Sequence, residues 1–291
     1  MGRALRLARS SKPARFGRVD LHVHTTHSDG QCSPGEVVRA AANVGLSGLA
    51  ITDHDTLSAI SIARPEADRL GIELIGGIEL TSSREGRELH VLGHFVREDD
   101  PALVEATSML REARSNRIEA MARRLGQLGL SIDLDVLRST FPRATLGRKH
   151  LADWLVHTEQ VADYRDAFAR FLGDDGPTQV EKPRVPFGKA IELIRGAGGV
   201  AGLAHPPYDL RLVSLREMVD EGLGAIEVDG PGIGSRLGRR WRDWADEFGL
   251  APIAGSDFHA SDRPGRWVGV ISTSPEDLDR LRLHRPVSAT D

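Results

Sequence analysis

His22 and His24 stand two positions apart near the start of the chain, and Asp257 and His259 repeat that spacing near its end. On an extended strand, side chains two apart point to one face, roughly 6.6 Å apart along it, close enough for both to grip one ion. Asp29 follows the first pair in what reads as a loop, and His54, Glu79, His90 and His205 each stand at the edge of a short apolar run. Imidazole and carboxylate are donors that manganese, iron and zinc accept. Any one of these histidines alone reads more simply as a satisfied core or surface residue. Six imidazoles and three acids packed together with no ion would leave charges and polar groups desolvated in one place at severe cost. The set as a whole therefore points to a metal centre.

The elements that must bring them together can be read from the hydrophobic pattern. From Arg18 onward short apolar runs alternate with helical stretches: Val19–His24, Leu49–Asp53 and Glu73–Thr81 as strands, Pro34–Val44 and Thr56–Leu70 as helices between them, then Leu89–Val96 as a further strand. Such alternation is the mark of βα units around a mostly parallel sheet. Nearly all the candidate ligands then fall at the C-terminal ends of strands, with Glu79 ending the third and His90 beginning the next; in α/β barrels that rim carries the active site. From about Pro101 to Leu172 the sequence turns Ala-, Arg-, Leu- and Glu-rich with helical spacing, and Leu103, Met109 or Leu110, Ile118, Met121, Leu125 and Leu128 form an apolar stripe. After Gly173–Pro177 the strand-and-helix pattern returns with Phe187–Ala197, Val200–Ala204, Leu215–Glu221, Ala225–Val228, Ser235–Phe248 and Pro252–Ala254. The expected organisation is a basic leader over 1–17, a first barrel part over 18–100, a helical insertion over 101–185 and a second barrel part over 186–291.

Composition narrows the function classes. The chain has 291 residues, 38 Lys and Arg against 42 Asp and Glu, and a formal net charge of -4, so no global electrostatic case for nucleic-acid binding arises. The lone Cys32 cannot form an internal disulfide, and no apolar run approaches the roughly 18 residues of a membrane span. A cytoplasmic location and no obligate protein partner are expected. Arg3, Arg6, Arg9, Lys12 and Arg15 make the leader basic without the apolar core of a secretory signal. The glycine-rich stretches at 196–199 and 230–234 lack the spacing of a phosphate loop or a dinucleotide fingerprint.

His22-x-His24 within VDLHVHTTHSDG, His54 in AITDHDT, Glu79 in GGIEL, His90 in ELHVLGHF, His205 in GGVAGLAHP and Asp257-x-His259 in IAGSDFHA together resemble the polymerase and histidinol phosphatase family, PHP, from about residue 19 to 260. The resemblance implies an α/β fold, a distorted (β/α)7 barrel, holding two or three divalent ions, typically manganese, zinc or iron. It assigns His22, His24, Glu79 and Asp257 to one ion, makes Glu79 a bridge to a second that also takes His90 and His205, and gives Asp29, His54 and His259 to a third. Within the family the insertion, GRKHLA at 147–152 and GSDFHA resemble the small bacterial phosphatases that act on nucleoside 3',5'-bisphosphates and in some members trim RNA from its 5' end.

Three such ions with Asp29, Glu79 and Asp257 would leave roughly +3, so a phosphate dianion is the natural guest and a metal-bound hydroxide the expected nucleophile. Arg148 and His150 are candidates to reach from the insertion for phosphate or leaving group, and Arg suits phosphate through its two-pronged fork. Asp53 is a candidate to orient His54 or take a proton. Lys182 and Arg184, where the insertion rejoins the barrel, are candidate substrate contacts, although exposed linker charges would look the same. Arg111, Arg114, Arg117, Arg123 and Arg124 form a basic track, which a solvated face paired with Glu112 and Glu119 would also explain. One departure stands out: Asp229-Gly230-Pro231-Gly232 replaces the aromatic and polar residues that relatives carry, in a segment expected to shape the pocket. The favoured activity is hydrolysis of a small phosphomonoester, a nucleoside 3',5'-bisphosphate or nucleotide. The alternatives are 5'-3' exoribonuclease action on short RNA, histidinol phosphate hydrolysis, and a non-catalytic metal-binding module.

Overall fold

The computed structural model describes residues 17–142, 144–260 and 266–286; the basic leader expected over 1–17 lies, but for Gly17, outside them. β1 (Val19–Val23), α1 (Pro34–Asn43), β2 (Gly48–Ile51), α2 (Ile60–Leu70) and β3 (Glu73–Arg84) form two successive βα units with parallel pairing from β1 to β2 and from β2 to β3. β4 (Arg87–His94) then runs antiparallel to β3 and to β6 (Val200–Leu203), and β7 (Ala225–Asp229) and β8 (Ala251–Ala254) continue in parallel. Seven strands in the order β1-β2-β3-β4-β6-β7-β8 curl into a nearly closed barrel, and a two-residue strand, β5 (Val185–Pro186), joins β3 from the side. Closure comes from single bridges rather than a full ladder: His24 N–H donates to the Phe258 carbonyl at 2.9 Å, and Val19 and Thr273 exchange backbone hydrogen bonds.

Two features differ from the sequence reading. The third strand does not end near Glu79 but runs to Arg84, and with β4 it makes a hairpin that rises past the barrel rim. Its two-residue turn, Glu85 and Gly86, has φ of 51° and 77°, the positive pair that a tight hairpin turn needs. β2 pairs with β3 only as far as Gly76, so Glu79 still sits at the rim although it is the seventh of twelve strand residues. The antiparallel direction of β4 explains how His90, near the start of its strand, arrives at the same rim as residues that end parallel strands. The second helix begins at Ile60 rather than Thr56, because residues 52–59 form a loop over the rim in which Asp55 holds a positive φ of 53°.

The segment after β4 is helical: α3 (Pro101–Gln127), α4 (Leu134–Thr140), α5 (Arg148–His157) and α6 (Tyr164–Ala167), the last running into a π-helical turn at Phe168–Leu172. α3, about 40 Å long for its 27 residues, divides its buried face. Leu103 and Leu110 pack into the barrel's outer core beside Ile191 and Ile194 of α7 (Phe187–Gly196), whereas Ile118, Met121 and Leu125 build a separate core with Leu137, Leu151, Leu155 and Leu172. Of the alternatives in the stripe Leu110 is buried and Met109 is exposed. α8 (Leu212–Asp220) and α9 (Ser235–Phe248) cover the second half of the barrel. α10 (Pro275–Leu283) is an element the sequence reading did not name. Ser274 caps it by accepting from Asp277 N–H, Pro275 opens its first turn, and Leu278 and Leu281 pack with Val19, Leu21 and Ala50.

Candidate metal centre

Glu79 is the hub. Its Oε1 lies 2.7 Å from His90 Nδ1 and 3.1 Å from His205 Nε2, and its Oε2 lies 3.3 Å from His22 Nε2, 3.2 Å from His24 Nε2 and 3.1 Å from His54 Nδ1. Five imidazole nitrogens thus surround one carboxylate that is 1% exposed. Asp257 Oδ1 stands 3.5, 3.3 and 3.4 Å from nitrogens of His22, His24 and His259, and His259 Nε2 is 3.1 Å from Asp29 Oδ1. All nine residues singled out in the sequence therefore converge at one mouth of the barrel. Donor atoms of eight of them fall into three overlapping groups compact enough to hold a cation, His22, His24 and Asp257; His54, Glu79 and His90; and His24, Asp29, His54 and His259, and His205 joins them through Glu79.

The local backbone is shaped for this convergence. His205 and Asp257 hold positive φ of 28° and 47°, conformations that non-glycine residues adopt at a cost and that concentrate at functional sites. At Gly255 a Cβ would come within 2.4 Å of His22 Cβ, so glycine is what allows the end of β8 to press against β1 beneath the cluster. At Gly30 a Cβ would meet the His24 carbonyl at 2.6 Å, which lets the loop carrying Asp29 fold back onto the strand.

Electrostatics show what the cluster lacks. Burial opposes charge on each imidazole, yet the carboxylates overrule it at three: His22 is held well above its ordinary value by Glu227, Glu79 and Asp257; His24 is pushed up to about 10 by Asp257 and Glu79; and His90 up to about 9 by Glu79 and Glu88. Glu79 and Asp29 are held well below the usual carboxylate range, their imidazole neighbours outweighing burial, and Asp257 is lowered by His22 and His24 in the same way. His54 goes the other way, driven well below its ordinary value by burial. Two buried metal-capable atoms, His54 Nδ1 and Asp29 Oδ1, make no hydrogen bond, although Glu79 Oε2 and His259 Nε2 respectively lie 3.1 Å away. Buried groups normally satisfy themselves. Atoms that face a shared point rather than one another fit an ion at that point, and an all-imidazole and carboxylate donor set fits manganese, iron or zinc.

A ring of supporting residues was not singled out as part of the site from sequence. Glu227, 2% exposed, accepts at 2.9 Å from His22 Nδ1 and also takes the His205 N–H. Asp20 is fully buried and accepts from the backbone N–H groups of His22, Ser256 and Gly269; burial pushes its carboxyl up to about 6. The signal was present in the motif VDLHVH and in AIEVD, since an acid inside an otherwise apolar strand needs a partner. Asp53, expected to orient His54, is engaged elsewhere: it accepts from Thr25 N–H and Oγ–H at 2.7 and 2.6 Å and from Ser28 Oγ–H at 2.5 Å, fixing the loop after β1.

The expected substrate residues divide similarly. His150 is buried with its Nδ1 accepting from Gly147 N–H and its ring edge-on to Phe141, and burial pushes it down to about 4 against the pull of Asp29, so it caps α5 as a neutral imidazole within electrostatic range of the centre. Arg148 donates to the Leu172 carbonyl and to Asp174. Lys182 and Arg184 both bind Glu88, at 2.5 and 3.0 Å, one carboxylate away from His90. The basic track is split: Arg111, Arg123 and Arg124 are exposed, whereas Arg114 and Arg117 are turned inward. Arg114 turns inward to fully buried Asp55 at 2.6 Å and to Thr81, Arg124 donates to Gln179, and Glu119 pairs with Arg138. Arg117 donates its Nε–H to the Val180 carbonyl; burial, with Arg148, Arg114 and Arg184 nearby, pushes it down to about 10.

Two cavities flank the centre. One of about 610 Å³ is lined by Asp29, Asp257 and His259 on the metal side and by Lys149, Phe168 and Arg266 opposite, with Tyr164 stacked on Phe168. The other, about 580 Å³, lies under α3 against Ser83, Asn116, Arg117, Lys182 and Arg184. The Asp229–Gly232 segment, expected to shape the pocket, contributes to the walls of neither. Among the described residues no helix is long and apolar enough to cross a membrane.

Comparison with known proteins agrees with this geometry. A family model for the PHP domain matches residues 20–143. A Haemophilus influenzae protein named 5'-3' exoribonuclease is 34% identical, over 86% of this chain and 92% of its own. A Chromobacterium violaceum protein named 3',5'-nucleoside bisphosphate phosphatase is 32% identical, over 89% and 93%. A solved structure from Bifidobacterium adolescentis, described as that of a metal-dependent phosphoesterase, superposes with a TM-score of 0.85 at 28% identity and covers 96% of this chain and 99% of that one.

Proposed function

The chain belongs to the PHP family, and on that premise we propose that its metal-dependent phosphoesterase chemistry releases phosphate from a small phosphorylated nucleotide, with a nucleoside 3',5'-bisphosphate favoured. The observation that carries the reading is Glu79 with five imidazole nitrogens around it, joined through His24, Asp29, Asp257 and His259 into one polynuclear donor set. His22, His24, Glu79 and Asp257 would hold one ion; Glu79, His90 and His205 a second; and Asp29, His54 and His259 a third. When bound, such ions lower the pKa of water toward neutrality and neutralise charge developing on the phosphoryl group.

The chain's own residues do the rest. Glu227 holds the His22 ring by its far nitrogen, and Asp53 fixes the loop that carries Asp29. Arg117, Lys182 and Arg184 present positive charge in the cavity under α3, where a second phosphate or the leaving group would lie, with Arg148 near enough to Arg117 to add to it. Arg117 is the one of these four with no carboxylate within ion-pair distance among the described residues. The cavity beside Asp29 and His259, with the Phe168 and Tyr164 rings, is in the size range of small-molecule sites, roughly 300–1,000 Å³, and stacked rings suit a nucleobase. A buried free thiol, Cys32, whose pKa burial pushes up to about 11, suits the cytoplasm.

A second reading, stepwise 5'-3' removal of nucleotides from short RNA, is favoured by the name of the Haemophilus influenzae relative and by the same arginines. Phosphate and nucleotide release should be measured from a panel of bisphosphates, monophosphates and 5'-phosphorylated oligoribonucleotides, with protein loaded separately with manganese, zinc or iron. Turnover of a mononucleotide bisphosphate with RNA inert supports the first reading, and mononucleotide ladders from RNA support the second. Absence of turnover on every phosphoester with every metal would remove both.

A further inference from the structure

We infer that Glu88 is the positioning residue for His90, and that through it the return of the insertion sets how tightly the second ion is held. The inference rests on the metal reading above. The His90 ring lies between two carboxylates at close hydrogen-bonding distance: Nδ1 is 2.7 Å from Glu79 Oε1 and Nε2 is 2.9 Å from Glu88 Oε1. A neutral imidazole can offer a lone pair from one nitrogen only, and the other must carry the proton. With Glu88 accepting from Nε2–H, the tautomer is fixed with the Nδ1 lone pair facing Glu79 and His54. The same device recurs across the cluster, where Glu227 takes His22 Nδ1 and leaves Nε2 toward Glu79.

Glu88 lies two residues before His90 on β4, so both side chains share one face of the hairpin. Opposite Glu88 in the ladder is Ser83, and Ser83 pairs in turn with Pro186 of β5. The chain leaving the insertion is thereby laid along the hairpin's edge, which delivers Lys182 and Arg184 to the two oxygens of Glu88. The two cations fix the Glu88 carboxylate from its far side, so that Oε1 stays turned toward His90 Nε2. Lys182 and Arg184 thus act on the centre through Glu88 as well as by facing the cavity under α3.

The test is metal affinity in chelator competition, with ions per chain counted by mass spectrometry, on the full chain loaded with manganese or zinc. Glu88→Ala is expected to weaken one ion by about 10- to 100-fold, the usual effect of removing such a partner, leaving the others within a few-fold. Glu88→Gln, whose carbonyl still accepts from Nε2–H, should restore affinity to within about threefold. Circular dichroism of the metal-free variant should be unchanged, the side chain being 30% exposed. If Glu88→Ala fails to fold, the double variant Lys182→Ala/Arg184→Ala, which leaves Glu88 unclamped, should lose about three- to tenfold at the same ion. A Glu88→Ala protein that titrates like the unaltered chain would overturn the inference; an unaltered chain that binds no ion would overturn the metal reading instead.

Discussion

At the scale of single residues the centre is a contest between protons and cations. In the metal-free protein the surrounding carboxylates favour the protonated rings, raising His22 and pushing His24 up to about 10 and His90 up to about 9, while His22 Nε2 and His24 Nε2, 3.1 Å apart, can carry one proton between them. Metals require the neutral rings, so loading at pH 7 should release two or more protons per chain, measurable by calorimetry in buffers of different ionisation heat. Release of none would mean that the rings are already neutral. The sign for stability follows from the same shifts. A histidine whose folded value is raised stabilises fully below its unfolded value, about 6.5, and that contribution fades as pH rises through 9 to 10. The melting temperature of chelator-treated protein should therefore fall between pH 7 and 10, while metal affinity rises across the same window; a metal-free melting temperature that climbs with pH would be inconsistent. Glu79→Ala should reduce turnover by roughly 10³-fold or more, since it removes the group shared by the ions, and leave the circular dichroism spectrum intact. The nine donors were legible in sequence because metal ligands are read from residue type and spacing. For Glu227 and Asp20 the sequence shows an acid inside an apolar strand but not its partner, and Glu88 gives no such signal, because their value lies in which nitrogen or N–H they face, and that depends on strand register.

At the scale of elements, positions follow from how β1, β3, β4 and β8 meet. Runs such as Val19–Val23 and Val200–Leu203 announce buried strands by composition alone. Their direction does not show in composition: β4 reads like any other apolar run, and only its tight Glu85-Gly86 turn marks it as antiparallel. The extension of β3 past Glu79 escaped notice for a related reason, since the hairpin beyond the rim is polar and stabilised by pairing and by β5. β8 depends on a missing side chain. Gly255→Ala would place a methyl 2.4 Å from His22 Cβ and 2.6 Å from its backbone nitrogen. Overpacking of this kind costs about 1–3 kcal/mol, so a melting temperature several degrees lower and weaker metal binding are expected. An alanine variant with unchanged melting temperature and metal affinity would show that β1 and β8 do not meet so closely.

At the scale of the whole molecule, the barrel supplies the centre and the insertion supplies the ceiling. α3 belongs to both cores, and Arg114 ties it to Asp55 and Thr81 on the rim. The track of arginines was visible in sequence, but helical spacing leaves open whether such a face is solvated or turned inward, and the answer came from the chain segment 179–184 packing against it. Arg117→Ala should raise KM for a substrate bearing a second phosphate by about 10- to 100-fold, the worth of a charge-assisted hydrogen bond. Its kcat should stay within roughly threefold, since a group far from the reacting phosphorus contributes uniform binding; equal KM values for the two proteins would leave Arg117 with no part in recognition. All of this presupposes that nine side chains from six strands and their loops enclose cations. Crystals of manganese-loaded protein, measured on both sides of the manganese absorption edge, address that directly. Two or three anomalous peaks are expected among Glu79, Asp257, Asp29 and the six histidines, with Glu79 touching two of them. A fully loaded crystal whose anomalous density lies elsewhere, or is absent from this mouth of the barrel, would contradict it.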